Sequence, residues 1–305
     1  MKILIVHSGN SNSISPFVSD QVEALVKIGV KVEYFLINGK GALGYLENRF
    51  LLKKTIKQLN PDLIHAHGGL SGFLAVLQRM TPVITTFHGS DINKPLTRII
   101  SFLTHLLSRE SIFVSKPLSN KVRVKKAKII PCGVDISLFK EIDKIEARKK
   151  LGLSLTNKYI LFSSFDNLVK NYPLAKKSVD LLKEEKIKII ELKNHSRKEV
   201  SLLMNASDLV LVTSFTEGSP QFIKEAMACN RPIVTTNVGD VDWLLDGVHG
   251  AYVCSYDSSV IAKSIQIALN VKNSNARSKL ITLKLDSKSI AQRIKKTYNL
   301  CLKQS

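Results

Sequence analysis

The sequence predicts an α/β protein built from parallel sheets in two domains. Two observations carry this. Short apolar runs bounded by polar or glycine turns alternate with helical patterns, as β-α-β units require. The 305 residues, 44% of them hydrophobic, are enough for two sizeable cores.

The elements follow in order. Residues 3–6 are a buried strand, Ser8–Asn12 a polar turn, and Phe17–Ile28 a helix capped by Gly29. Val30–Leu36 completes the first β-α-β unit. The turn at Gly9 lacks the G-x-G-x-x-G pattern of dinucleotide sites. Residues 45–59 read as a basic amphipathic helix. Pro61–Gly69 is a strand entering a glycine turn, with a helix from Leu70, and Pro82–Asp91 a strand ending in a polar turn. His65 should pack within its strand. His67 and His88 fall at strand carboxyl ends, where such sheets place chemistry. Ser111–Ser115 is a further strand. Residues 140–157 are charged and helical, and the domain boundary is placed there.

The second domain opens with the strand Lys158–Ser164, the exit loop Phe165–Asn171 and a helix over Pro173–Lys183. Lys186–Leu192 is a strand. Ser196–Asn205 is a helix, with Ser196 and Glu199 spaced as a capping box. Leu209–Val212 is a buried strand, and Gly218 permits a sharp turn. Ser219 suits an N-cap and Pro220 the first helical position. Ile223, Ala226 and Met227 recur at helical spacing until Asn230, and Ile233–Thr236 is the next strand. A helix over Ser258–Asn270 and a last basic amphipathic helix over 286–303 follow.

The stretch from Ser214 to Gly247 carries the functional argument. The amides around Ser219, Gln221 and Phe222 would form an anion site suited to a diphosphate. Glu217 and Glu225 bracket it. Carboxylates beside a bound phosphate are unfavourable unless they serve hydroxyl groups, so the site reads as a diphosphate flanked by sugars. That describes a nucleotide-sugar.

Glu217 and Glu225 also form the E-x7-E pattern of retaining glycosyltransferases, in the setting Glu-Gly-Ser-Pro-x-x-x-x-Glu-Ala-Met-Ala-Cys. The sequence resembles glycosyltransferase family 4. Thr-Phe-His-Gly-Ser-Asp at 86–91 is similar to the family's T-x-H-G-x-D turn. Ile-Pro-Cys-Gly-Val-Asp at 130–135 with Phe139 is similar to I-P-N-G-V-D-x-x-x-F, Cys132 standing where Asn is usual. The resemblance implies the GT-B fold, two Rossmann-like domains with parallel sheets facing across a cleft. Expected boundaries are 1–140 for the acceptor domain, 141–285 for the nucleotide-sugar domain, and 286–305 for a helix packing back on the first domain.

The resemblance further implies roles. Glu225 would hold the ribose, Glu217 and His88 the donor sugar, and Lys170 the diphosphate. Gly218, Ser219, Pro220 and Gln221 would line the donor site, with Gly239 and Asp240 touching the sugar and Gly9 and Asn10 lining the cleft. Asp240 replaces a usual glycine, which affects donor preference. The arginine that accompanies Lys170 in the family has no equivalent, since no arginine occurs between Arg148 and Arg197. A fixed cation stabilises charge on a departing diphosphate, so its loss could cost a few kcal/mol.

The implied activity is retaining transfer of a hexose-type sugar from a nucleoside-diphosphate sugar, with uridine the expected base. The acceptor would be a saccharide or polyprenyl-linked saccharide in cell-envelope polysaccharide synthesis. No metal-ligand cluster occurs in the sequence, and no cofactor is expected. The alternative is a catalytically impaired GT-B binding subunit.

Composition bounds the partners. The net charge is +20, and residues 94–128 hold nine basic residues and one acid around Ile99, Ile100, Phe102, Leu103, Leu106 and Leu107. That combination suits an anionic membrane surface. The competing reading is a core helix followed by a solvated basic loop. Nucleic acid is not expected, because no aromatic residue lies between Lys116 and Lys128. No apolar run has the length of a membrane span, and Met1–His7 is too short for a signal peptide. The expected location is cytoplasmic, peripheral at the inner membrane face. The four cysteines show no metal or redox spacing and are expected to be reduced.

Overall fold

The computed structural model describes residues 1–10, 14–39, 41–124 and 127–303, apart from the side chains of 41 and 42. Ser11 and Asn12 of the expected first turn, and Lys125 and Lys126 of the basic stretch, lie outside the described residues. The chain forms two compact units, Met1–Gly133 with Ser287–Ser305, and Val134–Asp286.

The first unit is a six-stranded parallel sheet: β1 (Lys2–Ser8), β2 (Lys31–Ile37), β3 (Leu63–His67), β4 (Val83–Phe87), β5 (Glu110–Phe113) and β6 (Lys128–Ile129). The spatial order is β2-β1-β3-β4-β5-β6. In β1, Leu4 lies opposite Glu33 on one side and Ile64 on the other. The central strands are buried on both faces, so they do not alternate apolar with exposed polar residues, and the His and Thr residues of β3 and β4 are buried too. The helix Ser287–Lys303 joins this unit through Tyr298, whose hydroxyl lies 2.6 Å from His65 Nδ1.

The second unit is a five-stranded parallel sheet: β7 (Lys158–Phe162), β8 (Ile187–Glu191), β9 (Leu209–Val212), β10 (Ile233–Thr236) and β11 (Ala251–Cys254), in the order β11-β10-β9-β7-β8. Ile160 of β7 pairs with Ile189 and Leu209. These residues join Phe162, Leu211, Val234 and Ile265 in one core. The helix Arg197–Ala206 starts with the capping box formed by Ser196 and Glu199.

The division between units falls at Gly133/Val134, earlier than the expected 140/141. The Val134 amide donates to Leu285 O at 2.9 Å. Arg277 donates to Ile136 O at 3.0 Å and to Phe139 O at 2.8 Å, and Phe139 is fully buried. The second half of the Ile-Pro-Cys-Gly-Val-Asp segment is therefore tied into the second unit. Residues 140–157 hold only a short helix, Lys144–Lys150, N-capped by Asp143.

A second difference concerns the central helix. It begins at Gln221, with Pro220 as the residue before it and no side-chain cap. Ser219 is not the N-cap; its hydroxyl lies beside the Asp240 carboxyl. Asn230 takes the left-handed conformation after the helix, at φ 51°.

Candidate active site

In the second unit the site is built where β7 and β9 end. The loop after β7 turns through a short 3-10 segment, Leu168–Lys170. Asn171 then takes the left-handed conformation at φ 55° and opens the helix Tyr172–Asp180. The loop after β9 clasps this turn. Thr213 Oγ1 lies 3.0 Å from the carbonyls of both Lys170 and Asn171, and the Phe215 amide donates to Val169 O at 2.9 Å. Those bonds bring Lys170 Nζ to 2.6 Å from Glu217 Oε1, which also accepts from Ser214 Oγ at 2.8 Å. Charge-assisted bonds of this length fix both side chains.

Glu225, one turn inside the helix Gln221–Ala228, is buried. Its Oε1 accepts from Arg197 Nη2 at 2.7 Å, and the Arg197 guanidinium lies 4.7 Å from the centre of the Phe139 ring. The two glutamates are thus each matched to a cation. Arg197 is the nearest arginine after the cation-poor loop, and it serves Glu225 rather than that loop.

Gly239 sits at φ 61° and packs directly on the Gly218 turn; a Cβ there would lie 2.9 Å from Gly218 O. Only glycine lets the two turns meet so closely. The next residue, Asp240, is buried beside Ser219 and Lys224. Burial pushes its carboxyl up to about 6, against the opposing pull of the fully buried Lys224 and of the Ser219 hydroxyl beside it.

In the first unit the ends of β1, β3 and β4 enclose a cavity of about 360 Å³, lined among others by His7, Phe17, Tyr45, His67, His88 and Asp91. His67 Nδ1 lies 3.0 Å from His88 Nε2, and His88 Nδ1 lies 3.7 Å from Cys132 Sγ. The Asp91 carboxylate accepts from the amides of Gly89 (2.7 Å) and His88 (3.3 Å), which sets the turn that presents His88. Phe17 packs on the His88 ring. His67 Nε2 is buried without a partner. Burial, then the neighbouring rings of His65, His88 and His7, hold His67 well below its ordinary value.

His65 packs within its strand as expected. Both ring nitrogens are engaged, by Tyr298 and by Thr86 Oγ1 at 2.7 Å, and burial lowers its pKa to about 3. Gly9 and Asn10 spend their hydrogen bonds on the chain around the end of β2. The Gly9 amide donates to Ile37 O, while Asn10 pairs with Gly39 through both its side-chain oxygen and nitrogen. Neither lines this cavity. Arg197, Ser214, Lys224 and His7 were not candidates on sequence. Arg197 meets Glu225, 28 residues on, whereas Ser214 meets Glu217 only three residues away, and no periodicity marks any of the four.

Two sequence models of known families match the chain. Glycosyltransferase Family 4 matches residues 12–138, and Glycosyl transferases group 1 matches residues 171–270. Both models describe glycosyltransferases, and together they support placing the chain in glycosyltransferase family 4. A putative teichuronic acid biosynthesis glycosyltransferase of Bacillus subtilis, TuaC, is 29% identical over 63% of this chain and 57% of its own length. The chain thus spans well under two thirds of that relative.

Two solved structures share the fold. Sucrose-phosphate synthase from Thermosynechococcus elongatus superposes with a TM-score of 0.81 at 15% identity, covering 100% of this chain and 99% of that one. Anabaena HepE in complex with UDP and glucose gives 0.79 at 20% identity, covering 98% and 99%. The two parallel-sheet units are those of the GT-B class.

Proposed function

We propose that this glycosyltransferase is a retaining, metal-independent hexosyltransferase. It moves a sugar from a uridine-diphosphate sugar to a saccharide or polyprenyl-linked saccharide acceptor in cell-envelope polysaccharide synthesis. The observation that carries this reading is the Lys170–Glu217 pair at the ends of β7 and β9, beside a helix start that no side chain caps. A diphosphate arriving there draws Lys170 off Glu217 and receives the amides of the helix start. Glu217 is then free to accept from sugar hydroxyls. Gly218, Ser219, Pro220 and Gln221 form the wall around the phosphates, and Gly239 and Asp240 face the sugar. Glu225, held by Arg197, is placed to accept from ribose hydroxyls. His88 meets the donor sugar as the family resemblance implies.

The chemical step proposed is a front-face displacement. The acceptor oxygen bonds to the anomeric carbon on the face the phosphate leaves. The carbon–phosphate-oxygen bond breaks with its electron pair, and that phosphate oxygen takes the acceptor proton. Lys170 and the helix start stabilise the charge on the departing diphosphate. The UDP in the HepE complex and the teichuronic acid role named for TuaC support this choice of donor and acceptor class.

A second reading is a binding subunit without turnover. It is favoured by the single cation that the β7 loop supplies. A thermal-shift panel of UDP, GDP, ADP and CMP on wild type and Lys170→Met separates the readings when paired with donor turnover. At a hundred times its Kd, UDP should add about 2.7 kcal/mol of stability, less in the variant. A shift with UDP but no transfer to any saccharide acceptor supports the binding subunit. No shift with any nucleotide overturns both.

A further inference from the structure

The helix Pro95–Leu107 is packed with its small polar residues inward. Of its side chains only Ser101 and Thr104 are buried. The cause lies in the helix beneath it, Gly69–Val76. A Cβ on Gly69 would come 2.0 Å from Ser101 Oγ, and one on Gly72 would come 2.6 Å from Thr104 Cγ2. The backbones approach so closely that only small side chains fit between them. Ser101 and Thr104 satisfy their hydroxyls on Asp91 O and Gly69 O. The large apolar residues are consequently turned outward: Leu96 is 73% exposed, Ile99 62% and Leu106 61%, with Phe102, Leu103 and Leu107 also exposed. The core-helix reading of this stretch is thereby excluded.

The helix Gly41–Leu59 packs against the same Gly69–Val76 helix. It too turns apolar residues outward: Leu43 and Phe50 are each 78% exposed, and Lys54 and Lys57 are exposed with them. Where Pro95–Leu107 ends, Arg79, Met80, Leu106, Leu107 and Arg109 line an open cavity of about 620 Å³. Pro95–Leu107 itself carries no acidic residue. Exposed patches of this extent mark interaction sites. A second copy of the chain is a poor occupant, because it would bring the same basic rim and the same +20 charge.

We propose that this face docks on an anionic phospholipid bilayer. Leu96, Ile99, Phe102, Leu106 and Phe50 enter the acyl boundary, and the lysines and arginines around them meet headgroup phosphates. The proposal deepens the envelope role by stating how a lipid-carried acceptor is reached, and it rests on that role for its purpose but not for its test.

The test is co-sedimentation of the full chain with phosphatidylcholine vesicles containing phosphatidylglycerol, or with phosphatidylcholine alone. Wild type is compared with Ile99→Ser/Leu106→Ser. Wild type should bind the anionic vesicles at least tenfold more tightly than the neutral ones, and the variant at least tenfold more weakly than wild type. A UDP thermal shift equal in both proteins would show that the variant is folded. Equal binding by wild type and variant, binding indifferent to lipid charge, or no binding overturns the proposal. So does a wild-type dimer in light scattering that the variant loses, since the face would then belong to a second copy. Loss of the UDP shift in both proteins, with vesicle binding intact, would fell the donor reading and leave the docking face standing.

Discussion

In the first unit, the strand ends gather His7, His67 and His88 around a cavity. In the second unit, the corresponding ends gather carboxylates and cations, Glu217 with Lys170 and Glu225 with Arg197. Both sheets are parallel and both place chemistry at carboxyl ends, yet the electrostatic problem is solved differently. Burial keeps His7, His65 and His67 neutral at pH 7, so they can only donate or accept hydrogen bonds. The second unit keeps its charges by pairing them. Under the proposed function the first end reads hydroxyls, and the second adds cations that handle phosphate.

The widest separation between the units is expected on acidification. A histidine lowered in the folded state contributes stability above its ordinary pKa, and that stability is lost as the pH falls. For His65 the loss runs from 6.5 down to about 3, and costs about 4 kcal/mol at the low end. His67 and His7 add to it, while Asp91, raised by burial, opposes it. The second unit contains the chain's only tryptophan, Trp243, so its fluorescence reports that unit alone. At pH 4.5, circular dichroism should show loss of structure on heating before Trp243 fluorescence changes. Coincident transitions at every pH would break the comparison.

Next in size, the two ion pairs should differ. Glu225→Ala leaves the Arg197 guanidinium facing a buried gap and should cost about 3 kcal/mol in urea unfolding. Glu217→Ala, at a more exposed pair, should cost about 1 kcal/mol. Equal costs would mean that burial does not distinguish the pairs. For turnover the order reverses: Lys170→Met should slow transfer about 100-fold, about 2.7 kcal/mol, while moving stability little. Assaying kcat and UDP affinity side by side would show whether the loss is in binding or in the departing step.

A further effect sharpens the contrast in sign. Asp240 is raised to about 6 from an ordinary 3.8, so its burial costs nothing at pH below 3.8 and its full penalty above about 6. Asp240→Asn should stabilise the second unit by about 2 kcal/mol at pH 8 and by nothing at pH 3.5. A gain that is constant with pH would remove the buried carboxylate as its cause.

The strands were legible in the sequence, because strands buried on both faces carry runs rich in Val, Ile and Leu, as β1 and β9 do. The capping box at Ser196, the positions of Glu217, Lys170 and His88 beyond strand ends, and that of Glu225 one turn into a helix were legible for similar local reasons. What was not legible depends on remote partners. Residues 94–128 showed an apolar stripe, but its direction is set by Gly69 and Gly72 on another helix. Arg197 reads as an ordinary first-turn residue until Glu225 and Phe139 are brought beside it. The unit boundary moved because Arg277 reaches back to the carbonyls of Ile136 and Phe139.

Tyr298, locked onto His65 from a helix that follows the entire second unit, has a consequence for biosynthesis. A ribosome delivers residues 134–286 before it delivers Ser287–Lys303. The second unit therefore has its full sequence while the first still lacks a layer of its core, with the His65 ring and the surface around it waiting in water. Assembly of the earlier-made half must finish last, and a chain stalled after Asp286 would carry a complete second unit beside an open, aggregation-prone first one.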